Sequence, residues 1–72
     1  MNLEAMFDKN GIQLIEGAHV KCILHIDCDN GTISGIIKKR ESGKYYIDID
    51  DAGGSWSLES PSIDWNTMEV MP

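Results

Sequence analysis

The chain has 72 residues, 42% of them apolar, and a formal net charge of −6. That length is a single domain, residues 1–72, burying roughly 60% of the surface its unfolded chain exposes, and the apolar share excludes wholesale disorder. No apolar run approaches the ~20 residues of a membrane span, and MNLEAMFDKN lacks the basic start and apolar run of a secretory signal; a cytoplasmic location with reduced thiols is expected.

Residues 2–8, NLEAMFD, predict a short helix, with Asn2 as cap and Leu3, Met6 and Phe7 on one face. Lys9-Asn10-Gly11 ends it, and Ile12–Ile15 is a short apolar stretch closed by Glu16-Gly17. From His19 to Cys28 the chain alternates, with Val20, Cys22, Leu24, Ile26 and Cys28 on one face, and Lys21, Ile23, His25 and Asp27 on the other. That is a strand with one buried side. Asn30-Gly31 suits a type I′ hairpin turn, and Thr32–Lys39 returns, setting Cys28 opposite Ile33, Ile26 opposite Gly35 and Leu24 opposite Ile37. Tyr45–Asp50 follows as a third strand, pairing Ile47 with Ile37. A turn at Asp51–Gly54 leads into Ser55–Glu59, pairing Ile49 with Trp56 and Ile47 with Leu58. Ile63-Asp64-Trp65 predicts a 3-10 turn, and Thr67–Met71 a last short strand. The expected core is Val20, Leu24, Ile26, Ile33, Ile37, Ile47, Ile49, Trp56 and Leu58. The first four strands share one apolar face without a parity conflict.

This order resembles a small antiparallel SH3-like barrel of the Tudor or KOW kind. The resemblance rests on Gly17-Ala18-His19-Val20 opening the first strand, Gly35-Ile36-Ile37 in the second, a tight hairpin between the third and fourth, and a 3-10 turn before a final strand. It spans roughly residues 15–71 and implies a mostly β fold, to which the short helix read at residues 2–8 is added at the N-terminus. Trp56 reads as core, which leaves Tyr46 and Trp65 as the aromatics for a Tudor-type cage.

Charge is unevenly written along the chain. Residues 1–44 hold six acids and six bases, whereas residues 45–72 hold Asp48, Asp50, Asp51, Glu59, Asp64 and Glu69 and no base. On the paired third and fourth strands, Tyr46, Asp48, Asp50 and Glu59 share an outward face. Such a field repels phosphates and attracts a basic protein surface, with Tyr46 as the anchor. Ile23, His25 and Ile36 form a second candidate surface, on a face that should be polar. They need cover from Leu3, Met6 and Phe7, or from another chain, including a homodimer through Ile23 and Ile36.

Other constellations carry less chemistry. His19, Cys22, His25 and Cys28 are zinc-ligand types, but on a strand the histidines and cysteines face opposite ways, so no metal site is expected. Asp48–Gly54 lacks the spacing of a calcium loop. Neither a nucleophile with an aligned base nor a phosphate-binding glycine loop is present, so neither catalysis nor a cofactor is expected. Lys38-Lys39-Arg40 and Lys44, beside Tyr45 and Tyr46, form a basic loop able to touch phosphate or a small ligand.

The expectation is therefore a non-catalytic protein-binding domain, an acidic inhibitor or adaptor docking on a basic surface, which becomes a DNA mimic where that surface holds nucleic acid. In type it resembles the small acidic phage and mobile-element proteins, anti-CRISPR proteins included, that disarm host nucleic-acid enzymes. The alternative is a nucleic-acid or small-ligand module using the Lys38–Lys44 loop. Salt-dependent capture of a partner separates the two.

Overall fold

The computed structural model describes residues 3–26, 29–50 and 54–71. Five antiparallel strands make one sheet: β1 (His19–Ile26), β2 (Asp29–Lys39), β3 (Tyr45–Ile49), β4 (Ser55–Ser57) and β5 (Ile63–Val70), in the order β4-β3-β2-β1-β5. Among the described residues no ladder joins β4 to β5, so the sheet is not closed. Among the described residues no helix is long and apolar enough to cross a membrane.

The faces follow the alternation, whereas two of the three expected registers do not. In the first hairpin Val20 pairs with Gly35, Cys22 with Ile33 and Leu24 with Gly31. Asn30 and Gly31 lie inside β2 rather than at a turn, and the last pair is Ile26 with Asp29. The connecting residues 27 and 28, Cys28 among them, lie outside the described residues. Relative to the expected pairing the strand has slid six positions. The shift is even, so every side chain keeps its face, and alternation cannot distinguish the two registers. The β3–β4 pair differs likewise by two positions, with Ile47 opposite Trp56. The β2–β3 pairing, Ile37 with Ile47 and Lys39 with Tyr45, is as expected. The expected turn at residues 51–53 lies outside the described residues.

The ends of the chain need larger corrections. Among the described residues only Leu3–Ala5 is helical, as a single 3-10 turn, and the expected cap Asn2 lies outside them. Phe7 then bridges Gln13 across a tight reversal. A seven-residue helix is marginal by itself, and here the backbone gains partners by turning back. Asp8 N–H donates to the Ile12 carbonyl (2.9 Å) and Leu14 N–H to the Met6 carbonyl (3.0 Å). Ile63-Asp64-Trp65 is no 3-10 turn but the start of β5, where Ile63 pairs with Leu24.

The core holds Leu3, Leu14, Val20, Cys22, Leu24, Ile37, Ile47, Leu58, Ile63 and Met68. Ile33, Ile49 and Trp56, expected to be buried, are partly buried and pack against it. Ile26 was expected inside and is exposed, because it stands at the hairpin tip beyond the reach of β5. Leu3 and Leu14, from the N-terminal reversal, and Ile63 and Met68, from β5, supply the volume that four strands alone could not.

Candidate functional site

The outward face of β2, β3 and β4 carries the expected anchor. Tyr46 stands between Lys38 on β2 and Ser57 on β4. The Arg40 guanidinium lies 4.2 Å from its ring centre, and Arg40 Nη2 donates to Ser55 Oγ (3.2 Å). Asp48 shares the face of Tyr46, two positions along β3, and is ion-paired with Lys38, whose pKa it raises. Asp50 follows the strand end, its Oδ2 contacted by His19 Nε2 and by Ser34 Oγ (3.3 Å). Glu59, past β4, has Lys44 Nζ at 3.9 Å. The acidic face and the basic loop, distinct in the sequence, interleave here into one charge mosaic around Tyr46.

The second expected surface is dispersed. Ile36 sits between His19 and Asp48, and Ile23 between Thr32 and Asp64. Along β1 these rows are four residues, about 13 Å, apart. His25 faces Asn30 across the hairpin, with Nδ1 2.8 Å from Asn30 Oδ1 and Nε2 2.9 Å from Asp64 Oδ2. Those bonds raise the His25 pKa above its ordinary value, and His25 in turn lowers that of Asp64. The expected cover does not form as a unit, since Leu3 enters the core and Phe7 stands in solvent.

Of the zinc-ligand types, Cys22 points inward, and burial pushes its thiol up to about 11, so at neutral pH it is a protonated, sealed side chain. His19 and His25 face the other way, onto Asp50 and Asp64. Among the described residues no three His, Cys, Asp or Glu side chains converge as for a metal.

One feature escaped the sequence reading. Phe7 (52% exposed), Ile12 (49%) and Ile15 (60%) are large apolar side chains held in water within nine residues of each other. The reversal that displays them is fixed by Asp8, itself 6% exposed. Asp8 Oδ1 accepts from Asn10 N–H and Ile12 N–H (both 2.8 Å), and Oδ2 from Val70 N–H on the outer edge of β5 (2.9 Å). Lys9 N–H donates to the Met68 carbonyl of the same edge (2.8 Å). These backbone donors, Val70 foremost, hold the Asp8 carboxyl below its ordinary value. Gly11 takes φ +80° inside the turn, a conformation natural to glycine. The signal was present as Asp8-x-Asn10-Gly11, an Asx-type turn between apolar residues. On its return limb Gly17 N–H donates to the Ile37 carbonyl (2.7 Å), so the reversal meets the sheet at the end of β2 that carries Lys38.

No protein-family model, curated protein or solved structure matches the chain.

Proposed function

We propose that this chain is a non-catalytic protein-binding domain, an inhibitor or adaptor whose partner presents a basic surface. The observation that carries this reading is the locked reversal displaying Phe7, Ile12 and Ile15. Exposed apolar side chains cost solubility, and a turn held by a buried carboxylate gives them no route inward. A rigid display of this kind lowers the ordering cost of association. Tyr46 with Arg40 adds a second anchor, of the residue types that dominate contact energies. Asp48, Asp50 and Glu59 lie around it as rim charges able to re-pair with a basic partner, and the net charge of −6 speeds the encounter. The architecture is read as a small SH3-like barrel left open between β4 and β5, with Gly17-x-x-Val20 leading the first strand.

The test compares capture from lysate by the wild type, Ile15→Asn and Tyr46→Ala, each first shown to fold by circular dichroism, at low and high salt. Salt-sensitive capture of one basic protein, weakened in both variants, is expected. Equal capture by all three chains, or recovery of nucleic acid instead, overturns the reading. Where the captured protein binds nucleic acid, competition between the two ligands identifies inhibition by mimicry.

A further inference from the structure

The ladder between β1 and β5 breaks between Lys21 and Ile23. There Ile23 N–H donates to Thr67 Oγ1 (2.8 Å), and that hydroxyl donates to the Asp64 carbonyl (2.7 Å). A side chain thus stands in for strand backbone, as at other bulges, which are enriched next to functional sites. A cleft of about 300 Å³ opens at this point, the lower end of the size of small-molecule sites. Ile23 gives it an apolar floor, backed by the strand at Cys22, and Thr32, Asn66 and Thr67 a polar wall. Lys9 and Lys21 stand at its mouth.

The two lysines share one acid. Lys9 Nζ is 3.2 Å from Glu69 Oε2, and Lys21 Nζ is 3.3 Å from Glu69 Oε1. Lys38 and Lys44, by contrast, each have a carboxylate to themselves. Against Glu69 the two ammonium groups leave one positive charge over, part of which is met by the Asp8 carboxylate beside Lys9. The two ammonium groups are set apart by the span of a single carboxylate, one to each oxygen.

We propose that this cleft binds a small monocarboxylate with a short apolar body, its carboxylate displacing that of Glu69 between Lys9 and Lys21. The ammonium spacing selects a planar two-oxygen head, and Ile23 takes the alkyl part. The net charge of −6 opposes a multiply charged anion such as phosphate. Glu69 acts as an internal competitor, because its carboxylate must leave for the ligand to enter. The proposal is independent of the protein-binding reading.

The experiment is an amide NMR titration of the full chain with butyrate, with acetate and inorganic phosphate as separate arms, at constant pH and ionic strength. Saturable shifts at Lys9, Lys21, Thr32, Asn66 and Thr67 are expected with butyrate, with weaker binding of acetate, which lacks the apolar body. Glu69→Gln should tighten butyrate binding by roughly threefold or more, the worth of one to two exposed ion pairs. Lys21→Gln should abolish it, and Lys9→Gln provides the same test should Lys21→Gln fold poorly. Shifts that never saturate, phosphate binding as tight as butyrate, or a Glu69→Gln chain that binds no better than wild type each overturn the assignment.

Discussion

Two glycines four positions apart on β2 make the sharpest test of the fold. At Gly35 an added Cβ would strike the backbone carbonyl oxygen of Asp48 and lie 2.8 Å from Ile47 Cγ2. That carbonyl belongs to β3, whose ladder with β2 runs through this point, with Gly35 opposite Ile49 and Ile36 opposite Asp48. Relief would require the strands to part, so Gly35→Ala should cost at least the ~1–3 kcal/mol typical of overpacking. A 72-residue domain has only about 4–11 kcal/mol to lose. At Gly31 an added Cβ meets nothing within 4 Å, and φ is not positive. There alanine should stabilise by ~0.4–1 kcal/mol, through the lost freedom of the unfolded chain. The two variants should therefore differ by about 1.5–4 kcal/mol. Urea unfolding followed by tryptophan fluorescence measures this, provided the slopes match. Were Asn30-Gly31 the hairpin turn, Gly31 would need a left-handed conformation and alanine would destabilise it. Loss of stability in Gly31→Ala, or wild-type stability in Gly35→Ala, refutes the register.

Truncating the core should separate interior from rim in the same assay. Ile47→Ala, at a side chain with no solvent exposure, should cost ~2–5 kcal/mol, whereas Ile26→Ala, 41% exposed, should cost less than about 1 kcal/mol. The pH dependence has two limbs of opposite sign. Asp8, Asp64 and Glu69 are held below their ordinary values of 3.8, 3.8 and 4.5, so the stability they contribute is present above those values and lost as pH falls through the folded ones. His25 is raised above 6.5, so its contribution is complete below that value and lost as pH rises through the folded one. Thermal melts from about pH 2 to 8 should show Asp8→Asn flattening the acid limb and His25→Gln flattening the fall as pH rises past 6.5. Unchanged limbs in both variants contradict the assignment.

Residue period and parity made most of the sheet legible. Val20, Leu24, Ile37, Ile47 and Leu58 are buried as the alternation required, because a strand with one covered face has no freedom to choose. Registers were legible only where both flanking strands agreed, as at Ile37 and Ile47. An Asn-Gly pair promotes a turn, yet it is a local preference, and here Asn30 and Gly31 instead pair with His25 and Leu24. The N-terminal reversal was illegible from apolar spacing, since Leu3, Met6 and Phe7 satisfy a helical face while Asp8 decides the outcome. Its carboxylate binds Val70, 62 positions away, a partner no local pattern can supply. Of the candidate site, Tyr46 and Asp48 were legible as neighbours on one outward face, whereas Phe7, Ile12 and Ile15 were not, because their exposure follows from that same long-range bond.

The charge pattern has a physical account that the linear sequence conceals. Each of the six ion pairs among the described residues joins a base from the first 44 residues to an acid from the last 28: Lys9 and Lys21 to Glu69, His19 to Asp50, His25 to Asp64, Lys38 to Asp48, and Lys44 to Glu59. The strand order requires this. β3 and β5, which come late in the chain, flank β2 and β1, which come early, so acids of the C-terminal part land beside bases, which are confined to the N-terminal part. Single exposed pairs stabilise little, but like charges set opposite each other are penalised. Segregation by sequence half thus disfavours pairing within the C-terminal part and favours the observed neighbours. The same arrangement leaves Glu16 and Glu41, from the balanced half, exposed and outside these pairs. The four lysines in pairs meet three carboxylates, Glu69, Asp48 and Glu59, a local balance of +1. The surplus of negative charge therefore lies outside the lysine-paired carboxylates. Under the proposed protein-binding reading, Asp48 and Glu59 would orient a partner at close range by exchanging Lys38 and Lys44 for its cations.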